Sequence, residues 1–504
     1  MVSSQQQQKE HHFFLFRHCV RSTSFSIDLH LKNASSATNF PLDPQSYVHE
    51  PLPNWQVPEN WCTPKALEDV QFMGQRLVDS GVILAGGDAS KAGSSSNKKL
   101  QFEIISDTSH RDVDTAYALA LGLKDALLQQ SPDTLSSSSV SAGMLDLFYA
   151  PWLFDPIKEA LCEQKFTLDE LVASAQYRLD NIPSPNLLKS LATLEKVAGI
   201  GSFGNLREKI PLDLILTSEQ TDKVYISGAA RLLKEFAQIM FYSRAGKINP
   251  PFAQQATAQD VYDLVQWVHY TRSIEDVGNA KAATQGAVLV EAMFRVLQRG
   301  FYQQRMAHTN QSNNHDDYDT RITILAGHDG NLDAMATALG VSWQPDDVYH
   351  SPNGQYVPTP PMSGIHAVRN VETGIINIEF LFPVYDLTGA SNATIFPKSV
   401  SVDFSPLSAI DASSITLERL RTHTIEQLKR YTGATDCFQA ASLFHAHDEI
   451  TEGIGSSSVG VSTAAPLVAI GTVCGVVVTM LVWRGFIRQR RPNQAKNYEP
   501  TGVQ

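Results

Sequence analysis

The chain has 504 residues, 43% of them hydrophobic and 9% aromatic, enough apolar material for a large folded unit. Its 40 Lys and Arg stand against 52 Asp and Glu, a net charge of −12, which argues against a nucleic-acid partner and makes a local cluster of arginines look purposeful. The five cysteines include no Cys-x-x-Cys, so a zinc ribbon or a thioredoxin-like site has no support.

Residues 1–11 are polar, with a Gln run, and show no apolar segment of the secretory type. The apolar run His12-Phe13-Phe14-Leu15-Phe16 follows and breaks into Arg17-His18-Cys19-Val20-Arg21-Ser22-Thr23. This reads as a buried strand delivering charge at its carboxyl end, where ligands sit in open α/β sheets. A histidine between two arginines is disfavoured as imidazolium, so a ring nitrogen stays available as nucleophile or ligand. The arginine forks suit a phosphate. The plainer alternative is a strand-end histidine with solvated arginines.

Residues 24–65 are loop-like and carry the sequon Asn33-Ala34-Ser35, and the spacing of Leu67, Val70 and Met73 predicts a helix from Pro64 to Ser80. The glycines near 86–93 lack the Gly-Lys-Ser/Thr ending of a P-loop. Arg111 follows Ser106-Asp107-Thr108-Ser109-His110 and precedes a helical stripe, which puts it near a helix start that favours anions. A Ser-rich break at 131–139 precedes a mostly helical region, 140–300, expected as a cap inserted into an α/β core. Trp267, His269 and Tyr270 read as cap packing; Arg272 and Lys281 could face the cleft, though solvent is the default for single charges. His308, His315, Asp316, Asp317 and Asp319 form a polar loop without compact metal-ligand spacing. Arg321–Ala326 then reads as a second strand, Gly327-His328-Asp329-Gly330-Asn331 as a polar turn, and Leu332, Met335, Ala336 and Leu339 as a helix stopped by Gly340.

Together these elements resemble the histidine acid phosphatases, branch 2 of the histidine phosphatase superfamily, of the lysosomal and prostatic kind. That family carries Arg-His-Gly-x-Arg-x-Pro after its first strand, an Arg-x-x-x-(Ser/Thr)-Ala element and a late His-Asp pair. Here these read Arg17 to Thr23, Arg111-Asp112-Val113-Asp114-Thr115-Ala116, and His328-Asp329. Fainter echoes are Cys62-Thr63-Pro64-Lys65 and Thr359-Pro360-Pro361. Cys19 replaces the signature glycine and Thr23 the proline; a side chain at Cys19 is expected to crowd the phosphate loop, and Cys19→Gly to leave the fold intact and activity maintained or raised.

The resemblance implies an acid phosphatase acting on phosphate monoesters through phosphohistidine at His18. Asp329 would be the proton donor, and Arg17, Arg21, Arg111 and His328 would hold the phosphate, with no metal and no cofactor. An acidic working pH is expected, since Asp329 must carry a proton. It also implies a phosphoglycerate mutase-like α/β fold, a mixed central sheet with helices on both faces. The expected domains are core at 12–135 and 301–444, a helical cap at 136–300, and a linker at 445–463. The alternatives are a weak or inactive membrane-anchored binding protein, a more specific lipid or inositol phosphate phosphatase, or a mutase or bisphosphatase of the same superfamily.

From Ala464 to Trp483 no charged residue appears, a run long enough to cross a bilayer as a helix. Arg484, Arg488, Arg490 and Arg491 follow, so 484–504 is expected to be cytoplasmic and the catalytic part lumenal or extracellular, in the lysosome, another endomembrane or at the cell surface. In this type I arrangement an N-terminal signal would be cryptic or missing, and the sequons Asn33, Asn310 and Asn392 would lie on the glycosylated side. Cys474 falls in the apolar run; Cys19, Cys62, Cys162 and Cys437 could pair in three ways.

Overall fold

The structure is a computed structural model that describes residues 9–23, 50–80, 82–83, 100–130, 145–156, 167–198, 215–218, 223–226, 229–248, 254–299, 320–344, 358–388, 395–404 and 415–434. The chain divides into two units, 1–459 and 460–504, and every described residue belongs to the first.

The central element is the apolar run that precedes Arg17. It forms β1 (Glu10–Arg17), with Phe13, Phe14 and Leu15 fully buried. A continuous apolar strand needs both faces covered, which is the situation of a strand inside a parallel sheet. Three more parallel strands lie to one side of it: β2 (Leu100–Ser106), β3 (Leu145–Tyr149) and β6 (Thr320–Gly327). On the other side β8 (Gly364–Asn370), β9 (Ile376–Val384) and β10 (Ile395–Ser401) run antiparallel. The sheet order is β10-β9-β8-β1-β6-β2-β3. Two small pairs lie apart from this sheet: β4 (Ile215–Ser218) with β5 (Lys223–Ile226), and β7 (Val341–Ser342) with β11 (Asp403–Phe404).

The register of the central pair decides where the chemistry lies. Arg17 on β1 stands opposite Gly327 on β6, so the loops beginning at His18 and His328 leave the sheet side by side. The neighbouring β2 ends at Ser106, opposite Ala326, and brings the segment before Arg111 to the same edge.

Among the described residues the helices are α1 (Pro64–Asp79), α2 (His110–Gln130), α3 (Pro151–Phe154), α4 (Leu168–Asn181), α5 (Leu187–Ala198), α6 (Ala229–Ala245), α7 (Ala258–Glu275), α8 (Ala280–Arg299), α9 (Asp329–Leu339) and α10 (Leu417–Thr432). The Thr-Pro turn starts α1: the Thr63 hydroxyl accepts from the Ala66 amide and Pro64 occupies the first turn. Gly340 ends α9 at φ 62°, the left-handed conformation in which glycine has no Cβ penalty.

The region read as a cap, 136–300, is less uniform than its helical spacing suggests. β3 joins the main sheet, and α8 packs on α9 and β1 within the core. A five-residue strand carries too little periodicity to stand out, and a helix buried as thoroughly as α8 has the same pattern wherever it packs. Among the described residues no helix is long and apolar enough to cross a membrane. The segment 464–483, the linker and tail, the sequons Asn33, Asn310 and Asn392, and the His308–Asp319 loop lie outside the described residues.

Candidate active site

The loop after β1 is pinned from three directions. The His18 amide donates to Gly327 O at 2.7 Å, the Arg17 amide to Ser363 O at 2.8 Å, and the Met362 amide to His18 O at 3.1 Å. From α2, the Thr115 hydroxyl accepts from the Cys19 amide at 3.0 Å and donates to Arg111 O at 2.6 Å. Gly327 cannot carry a side chain, because a Cβ there would meet Asn331 Oδ1 at 2.5 Å and the Phe154 ring at 2.6 Å.

His18 is buried, and its Nδ1 lies 2.8 Å from Cys19 O. A carbonyl only accepts, so this contact assigns the proton to Nδ1 and leaves the lone pair on Nε2. Burial first, then the charges of Arg111, Arg17 and Arg21, hold the imidazole well below its ordinary pKa. His18 is therefore a neutral nitrogen base inside a cationic cluster.

The arginines are held by different partners. Arg17 is buried; its Nη2 donates to the Tyr242 hydroxyl at 2.6 Å and pairs with Asp329 Oδ2 at 3.0 Å, and its Nη1 donates to Thr359 O. Arg21 donates to Asn60 Oδ1 at 2.7 Å and lies over the Tyr242 ring, 5.8 Å from its centroid. Arg111, in the first turn of α2, is half-buried, with Nε 4.0 Å from Asp112.

His328 caps α9, and its Nε2 lies 3.6 Å from Asp155 at the end of α3. Burial would lower its pKa, but Asp155, Asp329 and Asp112 outweigh that and raise it, favouring an imidazolium. Asp329 follows as the first residue of α9, about a third exposed. Burial would push its carboxyl up; Arg17 and Arg272 prevail and hold it well below the usual carboxylate range.

The structure thus gathers Arg17, His18, Arg21, Arg111, His328 and Asp329 at one edge of the sheet. It also adds groups that the sequence reading did not assign to the site. Tyr242 comes from α6 and Asp155 from α3. Arg272, read as solvated, is buried against Asp333, because the first turns of α9 turn a carboxylate and a backbone carbonyl toward α7. Trp267 and Tyr270 are buried as expected, while His269 lines a small cavity with Arg17, Tyr242 and Pro361. Asp107, Asp155 and His328 bring potential ligand atoms within 4.8 Å of one another.

Cys19 departs from its expected effect. Its sulfur is bonded to Cys62, just before the Thr63 cap of α1, with the Cα atoms 5.7 Å apart. The side chain is therefore directed into a cross-link instead of crowding the loop. Cys162 and Cys437 lie outside the described residues.

No family model matches the chain. It is 23% identical to phytase AppA of Escherichia coli over 340 residues, 62% of this chain and 71% of that protein. Its fold is that of the Citrobacter braakii phytase, with a TM-score of 0.57 at 18% identity, covering 83% of this chain and 98% of that one. The same holds for the Hafnia alvei phytase in complex with myo-inositol hexakis sulphate, with a TM-score of 0.58 at 16% identity over 83% of this chain and 97% of that one.

Proposed function

We propose, from the premise that the chain is a phosphoric monoester hydrolase of the histidine acid phosphatase type, that it works through His18 and Asp329 and that inositol phosphates are its substrates. The observation that carries the catalytic assignment is the buried His18 ring, with Nδ1 committed to Cys19 O, Nε2 left with its lone pair, and the charges of Arg111, Arg17 and Arg21 acting on the imidazole. Nε2 attacks phosphorus, forming a P–N bond as the P–O bond to the leaving group breaks. Negative charge on the non-bridging oxygens is met by the three arginines and the His328 imidazolium, so catalysis is mainly positioning and electrostatic stabilisation. Asp329 gives its proton to the departing oxygen, and water then hydrolyses the phosphohistidine.

Asp329 is a carboxylate in the unliganded site, so the donor proton must be gained as substrate binds. A phosphate on Arg17 removes that guanidinium from Asp329 and adds negative charge beside it, and both changes raise its pKa. The acidic working range follows from this coupling and from a His18 that stays neutral in acid.

Inositol phosphates are supported by the phytase relatives, one of them bound to an inositol hexasulfate. A panel of inositol hexakisphosphate, lower inositol phosphates, lysophosphatidate, nucleotides and phosphotyrosine tests this. Inositol phosphates should give the highest kcat/KM, and a marked preference for another class would refute the assignment.

The wider reading is a single-pass type I membrane glycoprotein, spanning at 464–483, with the catalytic unit in the lumen or outside the cell. The charge asymmetry around the apolar run supports it. So does the Cys19–Cys62 disulfide, which suits an oxidising compartment.

A further inference from the structure

One guanidinium outside the signature elements joins the two halves of the site. Arg272, near the end of α7, is 4% exposed. Its Nη1 donates to the Thr359 hydroxyl. Its Nη2 donates to the Asp333 carboxylate and, at 3.1 Å, to the backbone carbonyl of Asp329. Asp329 Oδ2 lies 3.6 Å from its Nη1. Thr359 in turn receives Arg17 through its carbonyl, and Arg17 reaches the same Asp329 oxygen. Arg17 and Arg272 are therefore linked twice, through Thr359 and through Asp329, in a closed ring across β1, α7, α9 and the Pro360-Pro361 turn.

A buried arginine kept only to neutralise Asp333 would need one ion pair. Here the rest of the fork is directed at the first turn of α9 and at the residue that orients Arg17. The planar guanidinium makes that arrangement specific, because its donors leave in fixed directions. Arg17 and Arg272 also differ in what substrate does to them. Arg17 lies among the phosphate-binding groups and is drawn onto phosphate oxygens, whereas Arg272 is held by Asp333 and Thr359 and has no reason to move.

We propose that Arg272 is a positioning residue for the proton donor: it holds the backbone and carboxylate of Asp329 in place while substrate draws Arg17 away, so that the carboxyl stays aimed at the bridging oxygen. The proposal rests on the phosphatase reading. In the step concerned, the Asp329 proton passes to the ester oxygen as the P–O bonding pair leaves with the alcohol and the His18 Nε2 lone pair forms the P–N bond. Only this transfer depends on the aim of Asp329.

The test is to compare Arg272→Lys and Arg272→Met on two esters, glycerol phosphate and p-nitrophenyl phosphate, whose departing oxygen needs little protonation. For Arg272→Met, kcat on the alkyl ester should fall on the order of 100-fold and kcat on the nitrophenyl ester by ~3-fold or less, with KM little changed. Arg272→Lys should recover part of the alkyl activity. Equal losses on both esters, or an effect confined to KM, would overturn the proposal in favour of a structural or phosphate-binding cation. Should Arg272→Met fail to fold, Thr359→Val removes one acceptor of the ring with little change in shape; its alkyl-to-nitrophenyl rate ratio should fall, and an unchanged ratio overturns the proposal. A wild-type chain that turns over neither ester would remove the phosphatase reading itself, a result distinct from equal losses in an active enzyme.

Discussion

Arg17 Nη2 lies 3.0 Å from Asp329 Oδ2, so without substrate the guanidinium proposed to bind phosphate and the carboxyl proposed as proton donor neutralise one another. Binding a phosphate must break or share that pair. Asp329→Asn removes the donor and also frees Arg17. It should slow alkyl phosphates by roughly 10²- to 10⁴-fold and nitrophenyl phosphate far less. Inorganic phosphate should meanwhile inhibit the variant at lower concentration than the wild type. Weaker phosphate inhibition would mean that the pair does not compete with binding.

The two histidines titrate in opposite senses. His18 is depressed below 6.5, so it remains a nucleophile when the solution falls below that pH. A neutral buried histidine also costs stability in acid: the unfolded chain takes up protons below 6.5 that folded His18 refuses, so stability falls from there toward its folded pKa. His328 is raised, so its contribution to stability, and to the phosphate binding proposed for it, is complete below 6.5 and is lost as pH rises through its higher folded value.

Asp155→Asn removes the partner that does most to raise His328. The alkaline rise in KM should then move to lower pH, with kcat in acid nearly unchanged. A KM profile that does not move would mean that His328 is not held protonated by Asp155.

The Cys19–Cys62 bond closes a 43-residue separation, for which chain entropy alone gives a stabilisation of about 4 kcal/mol. The bond also ties the nucleophile loop to the start of α1. Cys62→Ala, or reduction of the wild type, should lower the denaturation midpoint and raise the mobility of the loop, with a loss in kcat larger than any change in KM. Cys19→Gly should behave likewise, contrary to the simpler expectation that restoring the family glycine is harmless. Wild-type stability in either variant would show that the cross-link contributes nothing.

The strand-turn-helix unit around His328 was legible in the sequence because it packs its signal into about twenty consecutive residues, and the strand before His18 because its apolar run breaks straight into a cationic cluster. Their meeting point was accessible only through the family pattern, since nothing local says that β1 pairs with β6. Tyr242 and Asp155 were not legible, and Arg272 was legible only as one of two charges that could face the cleft. Each is a single side chain whose role depends on which distant element packs against it, and helical spacing records only that a face is buried. The disulfide was one of three open pairings, and proximity in space decides among them.

The proposed membrane orientation rests on charge at the ends of an apolar run, and protease protection addresses it. In intact microsomes from the native source, the catalytic unit should survive digestion and the tail beyond Trp483 should be lost. Degradation of the catalytic unit with survival of the tail would reverse the topology.

The most direct measurement is the identity of the phosphorylated residue. Rapid acid-free quenching with ³²P-labelled substrate, followed by peptide mapping, should yield an acid-labile, base-stable phosphoramidate on the peptide containing His18, and His18→Ala should lose both the label and turnover. A label on another residue, or normal turnover by His18→Ala, would contradict the account.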